Sequence, residues 1–234
     1  MMRSMFAVVT AAAISAGLLA GPAALATATP PGTIQVTGTQ LASALLPISA
    51  FGSGYVRFPV LDSGRSLGRP AYPDVGAVSC PLYSVLLGES DLPGDPGYGF
   101  GATANATEED LGGGRTYRQS VYQFASQRAA AALFAQTYAK YANCRSFAFS
   151  GVRVRLESES KTRVGGYQAF LVRLLVSYPG AVSAPPPYPE EALFAIDGDE
   201  AFVMNVGTRT AGAPLSTTLA ALTVRLIDRA RALR

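Results

Sequence analysis

The chain has 234 residues, 49% of them apolar, a net charge of +3, two cysteines and no histidine. That is enough apolar material for one ordinary domain with a full core. The missing imidazole excludes histidine-based triads and histidine metal sites, two cysteines cannot complete a structural zinc site, and the scattered Lys and Arg form no stripe for nucleic acid.

Residues 1–26 read as an export signal. Arg3 supplies the positive end, Met5 to Ala20 the small-residue apolar stretch, and Ala24-Leu25-Ala26 the cleavage pattern. Gly17, Gly21 and Pro22 break the run short of a membrane span, and no later run reaches that length. A secreted protein is therefore expected, with the cell envelope as the other location. Outside the cytoplasm, Cys80 and Cys144 read as one disulfide, and closing a loop of that length stabilises a fold by about 4 kcal/mol.

Residues 27–38 read as a loose leader and 39–234 as the folded domain. Thr39 is placed to cap a short helix through Leu46, stopped by Pro47. Phe51 to Ala77 is rich in turn residues, with Tyr55 to Leu61 as an edge strand. Cys80 to Leu87 reads as a helix that Gly88 ends. Tyr98 to Thr107 and Tyr117 to Ala125 read as strands across the acidic, glycine-rich Glu108 to Gly114. Ser126 caps a helix over Gln127 to Asn143. Val152 to Thr162 alternates charged and apolar residues, Gly165-Gly166 turns it, and Tyr167 to Tyr178 is apolar on both faces, as an internal strand is. Pro185 to Pro189 is a stiff connection. Leu193 to Ile196 and Ala201 to Val206 form a hairpin over Asp197-Gly198-Asp199, and a helix from about Pro214 to Ala232 closes the chain with Leu215, Leu219, Leu222, Leu226 and Leu233 inward. This order predicts an α+β fold: a twisted antiparallel sheet with helices packed on one face, a single domain stapled by one disulfide.

Short motifs that suggest chemistry fail on their surroundings. Gly64-Arg65-Ser66-Leu67-Gly68 matches a nucleophile elbow, but Pro70 and Pro73 follow where a helix must start, and the chain lacks a histidine partner. Ser158 and Lys161 have the S-x-x-K spacing, which brings the two side chains together on a helix and to opposite faces on a strand. Asp197-Gly198-Asp199 has too few spaced ligands for calcium. The pairs Glu157/Glu159 and Glu190/Glu191 read as exposed, without the burial that tunes catalytic carboxyls. No cofactor is implied.

One strand face stands out. Tyr117, Gln119, Val121 and Gln123 mix aromatic and amide groups where a core face is aliphatic, and Arg118, Ser120 and Tyr122 make the other face polar as well. A solvated surface explains this pattern; so does one wall of a polar ligand cleft. The layout resembles the PknH-type extracellular sensor domains of actinobacterial receptor kinases. The resemblance rests on Cys80, the Tyr117-Arg118-Gln119-Ser120-Val121 strand, the Phe124-Ala125-Ser126 helix entry, Tyr141-Ala142-Asn143-Cys144 and Phe202-Val203-Met204-Asn205-Val206-Gly207. Tyr141 stands where the family usually has Trp, and only one of the family's usual two disulfides can form.

The resemblance implies a non-catalytic domain with a ligand-binding cleft. Tyr117, Gln119 and Gln123, with Arg118 and Asn205, are its candidate ligand-binding residues. The expected partner is a small molecule or envelope component, and any signalling role requires a membrane-bound partner. The alternative is an envelope structural protein that makes contacts through the Arg-bearing strand Val152 to Thr162 and the last helix. Carboxylate-based catalysis ranks below both.

Overall fold

A computed structural model describes residues 36–63, 100–124, 126–149, 151–180, 186–208 and 215–234, all within one compact unit, Thr33–Arg234. Among them are three α-helices, α1 (Gly38–Ala44), α2 (Gln127–Asn143) and α3 (Ser216–Arg231), and a single turn of 3-10 helix at Ile48–Ala50. The strands are β1 (Tyr55–Arg57), β2 (Leu61–Ser63), β3 (Phe100–Asp110), β4 (Arg115–Phe124), β5 (Ser146–Phe149), β6 (Val152–Val164), β7 (Tyr167–Ser177), β8 (Tyr188–Asp197) and β9 (Glu200–Thr208).

All nine strands join one antiparallel sheet in the order β1-β3-β4-β9-β8-β7-β6-β5, with β2 also on β3. Along the second half of the chain each strand pairs with its neighbour in sequence, as short turns dictate. The exception is β4 against β9, where Gln119 lies opposite Met204 and Arg118 opposite Asn205. This seam joins the β1–β4 half of the sheet to the β5–β9 half.

Helices cover both faces of the sheet, not the single face the sequence suggested. One core joins Leu41 and Ala44 of α1 and Leu219, Leu222, Leu226 and Ile227 of α3 to Ala104, Val121, Leu193, Phe202 and Met204. The other joins Ala130 and Leu133 of α2 to Phe124, Phe170, Val172, Phe194 and Val203. The reason lies in the strands. Adjacent residues Leu193 and Phe194, or Phe202 and Val203, point to opposite faces and both are apolar, so each face needs a cover. Under α2 the Phe170 ring stacks on Phe194 at 4.4 Å and meets the edge of Phe134 at 4.9 Å.

The predicted bounds hold within a few residues for α2, β7 and α3. Four details differ. Thr37, not Thr39, caps α1, in a capping box with Gln40. Val36, read as part of a loose leader, is buried. The strand expected over Tyr55 to Leu61 splits around Pro59, which has no N–H for a ladder. The edge strand β5 went unread because Ser146-Phe147-Ala148-Phe149 is too short to show a period. Cys144 follows α2, but its expected partner Cys80, the helix expected at Cys80 to Leu87 and the Gly64–Gly68 motif lie outside the described residues. Ser158 and Lys161 sit opposite Arg173 and Phe170 on β7, hence on different faces, so they do not form the S-x-x-K pair.

The β6–β7 turn requires glycine. Gly165 and Gly166 have φ of +58° and +91°, and a Cβ at Gly165 would lie 2.8 Å from Cγ2 of Val224 on α3. At Gly151, with φ of +79°, a Cβ meets nothing within 4 Å. Gly151→Ala is expected to cost about 1 kcal/mol, from backbone conformation alone. Gly165→Ala should cost about 2–4 kcal/mol, since steric displacement of α3 adds to the same backbone term. Urea unfolding of the two variants checks the difference; equal losses would mean that α3 does not press on this turn.

Candidate functional site

Strand β4 sends its side chains alternately to the two faces, and this separates the sequence-predicted site residues. Tyr117, Gln119 and Gln123 face α1. The Tyr117 ring lies between those of Phe51 and Tyr55, with centroids 5.1 and 5.7 Å away. Gln119, fully buried, receives the Leu46 N–H on Oε1 at 2.7 Å and donates from Nε2 to the Leu46 carbonyl at 3.2 Å and to Glu108 Oε1 at 2.9 Å. Gln123 Oε1 accepts the Val36 N–H at 3.0 Å. The amides that stood out in the sequence thus bind the chain's own segment 36–46. That segment needs them, because a helix as short as α1 is not stable alone. Arg229 of α3 completes the dock by donating to the carbonyls of Ala44 at 2.9 Å and Ser43 at 2.6 Å.

Glu108 is the centre of this cluster. Arg57 donates from Nε to its Oε1 at 2.8 Å, and also to the Leu46 carbonyl. Burial pushes the Glu108 carboxyl above its ordinary range; the Gln119 hydrogen bond and the Arg57 charge offset part of that.

Arg118 and Asn205 lie on the opposite face and converge on a residue the sequence had not offered as a ligand group. Glu190 of β8 accepts on Oε1 from Asn205 Nδ2 at 2.8 Å and from Arg118 Nη1 at 3.2 Å. Three strands supply these three side chains, and the β4–β9 seam sets Arg118 directly across from Asn205. Glu190 is buried, as is Asn205, whose Oδ1 has no hydrogen-bond partner among the described residues. Two residues along β8, the Tyr188 hydroxyl lies 3.1 Å from that of Tyr178. Burial, the Tyr178 hydrogen bond and the nearby Glu190 charge all push the Tyr188 phenol upward. The arrangement offers a carboxyl, a guanidinium, an amide acceptor and two phenols at one end of this face. The other end, under α2, is closed by the packed rings of Phe134, Phe170 and Phe194 together with Leu133.

The expectation that Glu190/Glu191 is exposed does not hold. Both are buried and point to opposite faces, Glu191 to an ion pair with Arg173 at 3.0 Å. Two adjacent glutamates resemble a solvated strand end, and only the cross-strand partners reveal otherwise. Asp197 and Asp199, read as turn residues, pair with Arg231 and Arg234 at 2.6 and 3.2 Å.

Together these features define an antiparallel α+β domain with a buried polar cluster on the α2 face, at the seam between two strand systems. No family model matches the chain, and no curated protein matches it. Among solved structures, the extracellular domain of PknH from Mycobacterium tuberculosis aligns over 84% of this chain and 97% of that domain, with a TM-score of 0.55 and 13% identity. The chain thus has the fold of the PknH extracellular domain. An uncharacterised Mycobacterium smegmatis protein, the Rv0999 ortholog, aligns over 82% of this chain and 96% of its own at 11% identity, with a TM-score of only 0.44. No helix among the described residues is long and apolar enough to cross a membrane.

Two outcomes follow from the two carboxyl clusters. Gln119→Ala strands the buried Leu46 N–H, which should cost about 1–3 kcal/mol and raise hydrogen exchange at Leu46 ahead of global unfolding; unchanged exchange there would remove Gln119 from the α1 dock. For Glu190, burial raises the folded pKa above the ordinary 4.5, with Arg118 and Asn205 lowering it in part. A raised carboxyl contributes stability below the unfolded value and loses it as pH rises through the folded one. Glu190→Gln keeps an acceptor without the charge, so its stability relative to the native protein should grow as pH rises above 4.5. Urea midpoints across that range that fall in parallel for the two proteins would show that the Glu190 charge carries no penalty.

Proposed function

We propose that this protein is a secreted, non-catalytic sensor-type domain that binds a small polar ligand beside Arg118, Glu190 and Asn205. The observation that carries the reading is the buried Asn205 Oδ1, an acceptor without a partner among the described residues, held in a charged cluster. Leaving such an atom unpaired costs about 1–3 kcal/mol, and a ligand hydroxyl or amine would recover that cost. The fold shared with the extracellular domain of PknH supports a sensor role. In this reading Tyr117, Gln119 and Gln123 contribute by fixing β4 against α1, so that Arg118 on the reverse side is held in place. Cys80 and Cys144 are proposed to form the disulfide that completes the domain. A signal passed across a membrane would require a membrane-bound partner.

Native mass spectrometry of protein purified from its own culture medium tests the reading. The expected result is an extra mass that is lost on denaturation, absent from Asn205→Ala and Arg118→Ala while both variants remain folded. A ligand present at about a hundred times its Kd would also raise stability by about 2.7 kcal/mol. A bare chain that responds to no panel of polar small molecules, and that salt releases from a cell-wall fraction, would favour the envelope-interaction alternative instead.

A further inference from the structure

The sheet has an open edge whose charges complement their own reverse. Strand β5 pairs with β6 only over Val152 to Arg155. Beyond that, β6 runs on to Val164 with β7 on its inner side, and among the described residues no strand pairs with its outer side. The stretch reads Glu157-Ser158-Glu159-Ser160-Lys161-Thr162-Arg163, and all but the half-buried Glu159 are exposed.

Charged residues on an edge normally prevent pairing with other chains. Here their order does more than that. Reversing the stretch about Ser160 places each acid on a base: Glu159 on Lys161, and Glu157 on Arg163. Glu159, Lys161 and Arg163 lie opposite Val172, Phe170 and Gln168 of β7, so all three project to the α2 face, while Ser158, Ser160 and Thr162 take the other. The irregularity between Leu156 and Ser158 makes Glu157 the bulged residue, so Glu159 and Lys161 form the regular centre. Their present partners are weak. Glu159 is 3.9 Å from Arg145 and its Oε2 has no hydrogen-bond partner among the described residues, and Lys161 Nζ rests 4.7 Å over the Tyr138 ring.

We propose that this edge is a homodimer interface. Strand β6 pairs antiparallel with β6 of a second copy about a twofold axis at Ser160, and the sheet continues through both molecules. A twofold axis perpendicular to the sheet keeps each face continuous, so Glu159 of one copy meets Lys161 of the other on the same face, twice over. Ser160 meets Ser160, and Ser158 meets Thr162, on the opposite face. Moving the axis one residue, onto Glu159, sets that residue against itself, and moving it one residue onto Lys161 does the same there. Parallel pairing in register opposes like charges throughout. The charge pattern therefore selects one occupant, a second copy, in one register.

Sedimentation equilibrium of the full chain across micromolar to millimolar concentration tests this. The native protein is expected to dimerise, and more weakly as salt rises, because the pairs are near the surface. Glu159→Lys and Lys161→Glu each oppose like charges and should loosen the dimer by about tenfold or more. Mixing these two variants restores both opposite-charge pairs, as does the double exchange Glu159→Lys/Lys161→Glu in one chain, and both should recover the native dimer constant. A misfolded variant would not be rescued by mixing. A native protein that remains monomeric throughout, or a dimer that Glu159→Lys leaves unchanged, would overturn the proposal.

Discussion

The pairing of β4 with β9 is the constraint on which the rest of this structure depends. From β3 to β4 and from β5 through β9 the paired strands follow one another in sequence and can form as local hairpins. β4 and β9 meet across two further strand pairs and a long helix, and they join the two halves of the sheet. Buried polar groups flank this seam: on one face Gln119 of β4 binds Glu108 of β3, which also binds Arg57 of β1, and on the other Arg118 meets Asn205 and Glu190. Buried polar groups that can be satisfied only in one register penalise any slip, because a one-residue shift would move every amide into an apolar core. Polarity at the centre of the sheet thus fixes the alignment that hydrophobic packing alone would leave loose.

Much of the fold was legible because periodicity survives wherever an element buries one face. Helix α3 showed Leu219, Leu222 and Leu226 at helical spacing, and all three are buried. β7 read as internal because Ala169, Phe170, Val172 and Leu174 leave no polar face, and it lies between β8 and β6. Asp197-Gly198-Asp199 marked its hairpin through Gly198 at φ of +62°. What could not be read was the side on which each helix sits. Strand residues apolar on both faces require two covers, but no residue records which helix goes where.

The candidate site was legible only in part, for a related reason. Gln119 and Gln123 were conspicuous because amides rarely belong on a core face, yet their partners are backbone groups of Leu46 and Val36, and main-chain groups leave no mark in a sequence. Arg118 and Asn205 were picked out from the two strands that the seam joins. Glu190 was passed over as half of an acidic pair on a strand end. Its significance arises from cross-strand neighbours that only the assembled sheet provides.

The docking of α1 also bears on the order in which the chain can fold. Arg229 donates to Ala44 across a separation of 185 residues, and Gln119 reaches Leu46 across 73. A ribosome makes α1 long before either partner exists, and so short a helix does not persist without them. The first of the described elements to be synthesised is then among the last to become structured, and contacts of this span are slow to form. α1 therefore stays undocked until α3 has been made, however much of the sheet has formed before it.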